Sequence, residues 1–486
     1  MQAVLVVLLA KAALVYGAGL HPVFDHRSDY YSQDLKSCLS ADLAEHELAT
    51  CRFFAITIDA GSTGTRLHLF ELSHEVGKES ALFKVEREIF REVKPGLSSF
   101  ADSPAQAAAS VADLLTTAKK AVPQHLWGHT PLALKATAGL RLLPEDQAEA
   151  ILEAVANTVT ASPFLVNEDS VVVMSGTDEG VFGWFTLNVL LERMGAVTEF
   201  SSCADKAAPD NATAAALDLG GGSTQITFRP LEDKTFVDLP ADYEHSLSVF
   251  GTSVRLYTHS YLGNGLVASR LGMLKLHAAS TNISLVTDCL PEGYNIEDWD
   301  YAGDRWIISG SKDYGSAKCL SSALKYVQQS KIRPVEELLR RDVFAFSYFF
   351  DRGLQAGLVR DTDGGATTVG AFREAALKAC QRPKTAMGPE HWRPWQCLDL
   401  SYIYALLHDG YRLPDNKVIT LAKKMRQMEV SWALGASYHL LNTYHEQRHA
   451  ALLSNATSDA SSVMSNVFAY FCSRATTVLS YLDLLA

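Results

Sequence analysis

Two short phrases of this chain share one chemistry: Ile58-Asp-Ala-Gly-Ser-Thr-Gly-Thr-Arg-Leu and Leu217-Asp-Leu-Gly-Gly-Gly-Ser-Thr-Gln-Ile. With Asp59 laid on Asp218, Gly61 falls on Gly220 and Thr65 on Thr224. Glycines let successive backbone N–H groups point into one concavity, and Ser/Thr hydroxyls add donors, a combination suited to phosphate oxygens. Neither phrase is a Walker loop, because no Gly-Lys-Ser/Thr follows and the next residues read as a strand rather than a helix. The same reason excludes a dinucleotide fingerprint. An aspartate beside a phosphate cradle needs a cation, and Mg²⁺ typically takes one or two carboxylates plus waters and phosphates. Asp59 and Asp218 are therefore read as carboxylates converging on a hydrated divalent metal from opposite walls of a cleft.

The elements that must position these groups are legible around them. Each copy runs from an apolar strand through the Gly/Ser/Thr loop into a second strand, Phe53–Ile58 and then Leu67–Phe70 in the first copy. Such a repeat implies two related lobes facing one polyphosphate. Leu132–Arg141 reads as a buried strand that turns at Thr137-Ala-Gly139 into a helix starting around Pro144-Glu145. Lys135, Thr137 and Arg141 can each approach phosphate, but Lys135 and Arg141 have equally good structural readings, so Thr137 is singled out. Val171–Trp184 reads as a β-branched strand, a polar turn and a helix over 180–194, with Glu179 at its first turn. There Glu179 either complements the positive helix end or acts as a general base toward water.

Composition bounds the class. The 486 residues, 48% hydrophobic, suffice for two large domains or three small ones with full cores. A net charge of −12 without a long basic run argues against nucleic acid as a partner. Residues 1–20 are almost entirely apolar, broken by Lys11, and end in Gly17-Ala-Gly19. They read as a signal peptide, with an uncleaved anchor as the alternative and the only route to a membrane. Residues 21–50 form a polar segment. Eight cysteines fit an oxidising lumen. Cys289 with Cys319, and Cys380 with Cys397, bracket loops and are expected to pair, while Cys38, Cys51, Cys203 and Cys472 stay unassigned, any of them a possible buried thiol. Asn211, Asn282 and Asn455 lie in glycosylation sequons.

Taken in order, Asp59–Arg66, Lys135–Gly139, Gly176–Gly180, Asp218–Gln225 and Tyr402-Ile-Tyr-Ala-Leu-Leu resemble the five signature regions of the apyrase, or ectonucleoside triphosphate diphosphohydrolase, family. The match covers roughly 53–441. Tyr257–Gly263, Trp432–Gly435 and the lack of a convincing second membrane span make the chain similar to the soluble, diphosphate-preferring branch of the secretory pathway. The resemblance implies an α/β fold of two ribonuclease H-like lobes of the actin and sugar-kinase type around a central cleft. Lobe I would hold 50–180 and take back a late helix near 425–445, lobe II would hold 181–424, and 446–486 would be a C-terminal extension. It also implies Glu179 as catalytic base, and Ser223 and Gln225 as holders of the attacking water. Asp59 and Asp218 would bind Ca²⁺ or Mg²⁺ through water, and Ser62, Thr63, Gly64, Thr137, Gly221 and Gly222 would cradle phosphate.

The nucleobase is less well specified: Tyr348, Phe349, Phe350 and Tyr402 could stack it, or belong to the core. Asn264 and Gly222 depart from the soluble branch, the first expected to alter a loop by the substrate and the second to be mild. The implied activity is hydrolysis of UDP or GDP, triphosphates less, to the monophosphate and inorganic phosphate by a monomer. Two alternatives stand beside it, an exopolyphosphatase-like phosphohydrolase and a nonenzymatic actin- or chaperone-like nucleotide-binding module. The pairing of Glu179 with Gln225 speaks against the module, because binding alone needs no water-activating pair.

Overall fold

A computed structural model describes residues 29–30, 50–75, 83–194, 213–249, 252–276, 283–301 and 303–444. The apolar N-terminal stretch, the three sequons, Cys38, Cys203, Cys472 and the extension after 446 lie outside the described residues. Two compact units are present, a small one comprising 1–53 with 73–84 and a large one comprising 54–72 with 85–486. The phosphate loops and all the chemistry below belong to the large unit. In the small unit Cys51 is disulfide-bonded, so it is not the free thiol that the sequence allowed.

A first sheet runs in the order Lys84–Val93, Thr65–Glu75, Thr50–Ala60, Leu132–Ala136, Val171–Val173, with Asp29–Tyr30 pairing beside Thr50. Residues 53–60 are buried on both faces, which explains their near-continuous apolar run. Leu132–Ala136 lies parallel to this strand, Asp59 opposite Lys135, and Val171–Val173 extends the parallel set. The crossover between the last two strands is the helix Glu145–Thr160, which packs on the helix Pro104–Ala121.

A second sheet has seven strands in the order Gly364–Thr368, Val418–Ala422, Val343–Ser347, Ala215–Leu219, Ser223–Phe228, Thr252–Leu262, Glu244–Val249. Ala215–Leu219 is paired antiparallel to Ser223–Phe228 and parallel to Val343–Ser347. Each repeated phrase thus sits at the carboxyl end of a buried central strand, where open α/β sheets bind their ligands. This is the α/β architecture of two ribonuclease H-like halves that the resemblance implied.

Two local expectations are corrected. The Glu179 helix runs Gly176–Leu190, beginning four residues earlier than the pattern suggested, because Ser175 caps it by accepting the Asp178 N–H at 3.0 Å. The late helix begins at 433, and Lys424-Met425 and Met428-Glu429 instead form a two-stranded hairpin. Two bonds anchor that late helix: Thr57 Oγ1 to Ser437 Oγ at 2.7 Å and the Gly435 N–H to Thr186 Oγ1 at 2.9 Å.

Disulfides 289–319 and 380–397 form as expected, the second tying the start of helix Gln396–Ala405 to Cys380 at the end of helix Val369–Ala379. Two residues beyond Cys397, the fully buried Asp399 accepts two bonds from Arg270 at 2.7 and 2.6 Å. Arg352 lies in ion-pair contact with the same carboxylate at 2.8 Å. No described helix is long and apolar enough to cross a membrane.

Candidate active site

The carboxyl ends of both sheets open on a cavity of about 720 Å³. Asp59, Ser62, Thr63, Thr137, Glu179, Asp218, Gly221, Gly222 and Ser223 all line it. The loops meet at Ser62. A Cβ on Gly221 would lie 2.1 Å from Ser62 Oγ, and one on Gly139 would lie 2.8 Å from Ser62 Cα. Only glycine at both places lets the first loop, the second loop and the Thr137 turn touch. Gly64 does not line the cavity: its carbonyl accepts the Gly61 N–H at 3.0 Å and closes the loop from behind. At Gly222 a Cβ would come within 2.8 Å of Ala138 Cβ, so the departure expected to be mild is matched to its neighbour.

The two aspartates are half-satisfied. Asp59 accepts from Arg66 at 3.1 Å through Oδ2, and its Oδ1 is buried without a hydrogen-bond partner. Asp218 likewise leaves Oδ1 buried and unpartnered. Burial pushes both carboxyls up, Asp218 to about 6, although Arg66 works the other way for Asp59 and the Ser347 hydroxyl does so for Asp218. Two buried acceptors with a free oxygen each, facing a Ser/Thr/Gly cradle, fit a hydrated hard cation such as Ca²⁺ or Mg²⁺.

Glu179 is the third buried acid. Its Oε2 accepts from Gln225 Nε2 at 3.0 Å and pairs with Arg141. Burial raises the carboxyl to about 8; Arg141 lowers it, while Asp218 and Asp59 add to the rise. Gln225 sits behind the cavity wall rather than in it. Its Nε2 also lies 2.8 Å from Ser223 Oγ and 2.9 Å from Ser260 Oγ. Two N–H groups shared among three oxygens tie the acid, the loop serine and the adjacent strand into one unit.

Of the four candidate base-stacking aromatics, Tyr348 alone lines the cavity, with the Arg352 guanidinium 5.1 Å from its ring centroid. Phe349 and Tyr402 are 0% exposed and Phe350 2%, all three packed in the core of the second sheet, so they are corrected to structural residues. Tyr402 uses its hydroxyl to donate to the Asn264 carbonyl at 2.5 Å. Asn264 itself is buried and off the cavity wall. Sequence reasoning missed several lining groups. Ser347 holds a left-handed φ of 58° beside Asp218, a strained conformation for a non-glycine residue. His68, bonded to Glu88 at 2.7 Å, sits on the strand that leaves the first phosphate loop, and Lys423, paired with Glu429 at 2.9 Å, comes from a hairpin edge with no motif around it. Arg141 was visible as a candidate cation, but its partner was not.

Residues 46–452 match the GDA1/CD39 (nucleoside phosphatase) family. Over 444 residues the chain is 46% identical to nucleoside-diphosphatase uda-1 of Caenorhabditis elegans, covering 90% of this chain and 92% of that protein. It is 39% identical over 394 residues to nucleoside diphosphate phosphatase ENTPD5 of Homo sapiens, covering 80% and 88% respectively. Among solved structures, nucleoside triphosphate hydrolases from Neospora caninum share the fold with a TM-score of 0.58 at 14% identity, over 83% of this chain and 95% of that one. With four of the five ordered motifs lining one cavity, the fifth packed in the core of the second sheet, and a family match spanning both sheets, the chain belongs to the GDA1/CD39 family of nucleoside phosphatases.

Proposed function

We propose that this protein hydrolyses the terminal phosphate of nucleoside diphosphates to the monophosphate and inorganic phosphate, with UDP and GDP preferred over triphosphates. The observation that carries the reading is the chain Glu179 Oε2–Gln225 Nε2–Ser223 Oγ, at 3.0 and 2.8 Å, bordering a double phosphate cradle. A binding module has no use for a buried carboxylate tethered beside the phosphate loops; a hydrolase needs one to take a proton from water. The similar proteins named as diphosphatases, and the family match, support this class over a polyphosphatase.

In this mechanism Ser62, Thr63, Thr137 and the 220–222 backbone hold the terminal phosphoryl group. Ser223 positions water on its far side, and Gln225 orients Ser223 and Glu179. Glu179 accepts the proton as the water oxygen attacks in line. Asp59 and Asp218 would hold Ca²⁺ or Mg²⁺ through its waters, and the ion would neutralise charge on the phosphate oxygens. Tyr348 with Arg352 is the proposed wall for the base. The disulfides fit an oxidising compartment, and we place the enzyme in the secretory pathway, in the endoplasmic reticulum or Golgi lumen or secreted, acting as a monomer.

Purified protein given UDP, GDP, ADP, ATP and inorganic polyphosphate tests the reading. Phosphate release from UDP or GDP with Ca²⁺ or Mg²⁺, abolished by EDTA and restored by the ion, is expected. Turnover of polyphosphate but no nucleotide would replace it with the polyphosphatase reading.

A further inference from the structure

We propose that Arg141 is a positioning residue for this hydrolysis: it fixes one carboxylate oxygen of Glu179 so that the other is presented to the cavity. The proposal rests on the reading of Glu179 as the base. Arg141 and Gln225 both bond Oε2, and no hydrogen bond from the described residues reaches Oε1. Glu179 lines the cavity, whereas Arg141 lies behind it with its side chain 15% exposed. The arginine ends the short helical turn Ala138–Arg141, whose preceding residue, Thr137, faces the cavity. One segment therefore serves the phosphate and, four residues on, the base.

The floor of the arrangement is built for it. A Cβ on Gly176 would lie 2.6 Å from Arg141 Nη1 and 2.3 Å from Ser260 Oγ. The guanidinium and the serine that takes a Gln225 bond thus both press against the first residue of the Glu179 helix. Both donors to Oε2 are held from behind, so the carboxylate cannot rotate without breaking two bonds, one of them fully buried. Charge points the same way. The charged groups facing Glu179 are Asp218 and Asp59, from the central strands of the two sheets, and Arg141 from its turn. The aspartates resist a third negative charge, and Arg141 is the cation that favours it. A lysine could supply the charge without the planar fork.

The test compares Arg141→Gln and Arg141→Lys with the wild type in kcat and KM for UDP between pH 5.5 and 9.5. Arg141→Gln is expected to lower kcat about 100-fold at pH 7 with KM within about threefold, the signature of a lost transition-state contribution. The acid limb of kcat should move up by about one pH unit or more, a tenfold change in proton affinity. Arg141→Lys should fall between. An equal loss at every pH, or KM rising as kcat falls, would overturn the proposal in favour of a merely structural arginine.

A second measurement needs no turnover: carbon NMR titration of the Glu179 carboxyl, its signal assigned by its loss in Glu179→Gln, in wild type and Arg141→Lys. An unchanged midpoint would sink the proposal even if Arg141→Gln fails to fold. Should the wild type hydrolyse no nucleotide, the functional reading falls, while the titration still decides whether Arg141 governs Glu179.

Discussion

Replacing Glu179 by Gln should trade activity for stability, with a pH signature. The native carboxyl titrates at about 8 against 4.5 for an ordinary glutamate, chiefly because burial disfavours its charge. The folded value is raised, so the native protein binds a proton between those two pH values while the unfolded chain has released it. Its stabilising effect is complete below about 4.5 and is lost as pH rises through about 8. At about 1.36 kcal/mol per tenfold in proton affinity, the loss across that window is roughly 3–5 kcal/mol. An amide does not titrate, so the stability difference between variant and wild type must grow by that amount between pH 5 and pH 8.5. For a chain of this length that corresponds to about 1–2 °C per kcal/mol, a relative gain of roughly 3–10 °C. Thermal unfolding in EDTA at the two pH values reads it, since a bound cation would relieve the repulsion from Asp59 and Asp218. Phosphate release from UDP by the same variant should fall about 10²–10⁴-fold. Parallel melting differences at both pH values would refute the buried titration, and a near-native rate would remove Glu179 from the mechanism.

Other perturbations separate the cradle, the base wall and the frame. Gly221→Ala drives a Cβ to within 2.1 Å of Ser62 Oγ, so phosphate release should drop at least about tenfold while the melting temperature moves little. Tyr348→Ala should raise KM for UDP several-fold; Phe349→Ala should instead cost about 3–5 kcal/mol in denaturant unfolding, because that ring is fully buried. Equal KM effects from both would return the base wall to the core. Asp399→Ala strips the shared counter-ion from Arg270 and Arg352, and about 3–5 kcal/mol of stability should go with it. A variant melting with the wild type would show that solvent reaches those guanidinium groups.

The repeated Asp/Gly/Ser/Thr phrases were legible in the sequence because their chemistry is local: the glycines, hydroxyls and carboxylate that make a phosphate loop are consecutive residues. The loop staples at 289–319 and 380–397 were legible for a similar reason, each bracketing one short segment. Which aromatic faces the cavity was not, because Tyr348, Phe349 and Phe350 are adjacent aromatics and any of the three rings could stack a base. Only the packing of their helix on the second sheet turns one outward and two inward. The hairpin that carries Glu429 to the cavity has no motif and exists through its pairing with Lys424. The sequence could show that Glu179, Gln225 and Arg141 each carry useful chemistry. That Gln225 stands behind the wall, and that Arg141 and Gln225 converge on the same oxygen of Glu179, was decided by tertiary structure, since residues 38 and 46 positions away meet there only when the sheets pack.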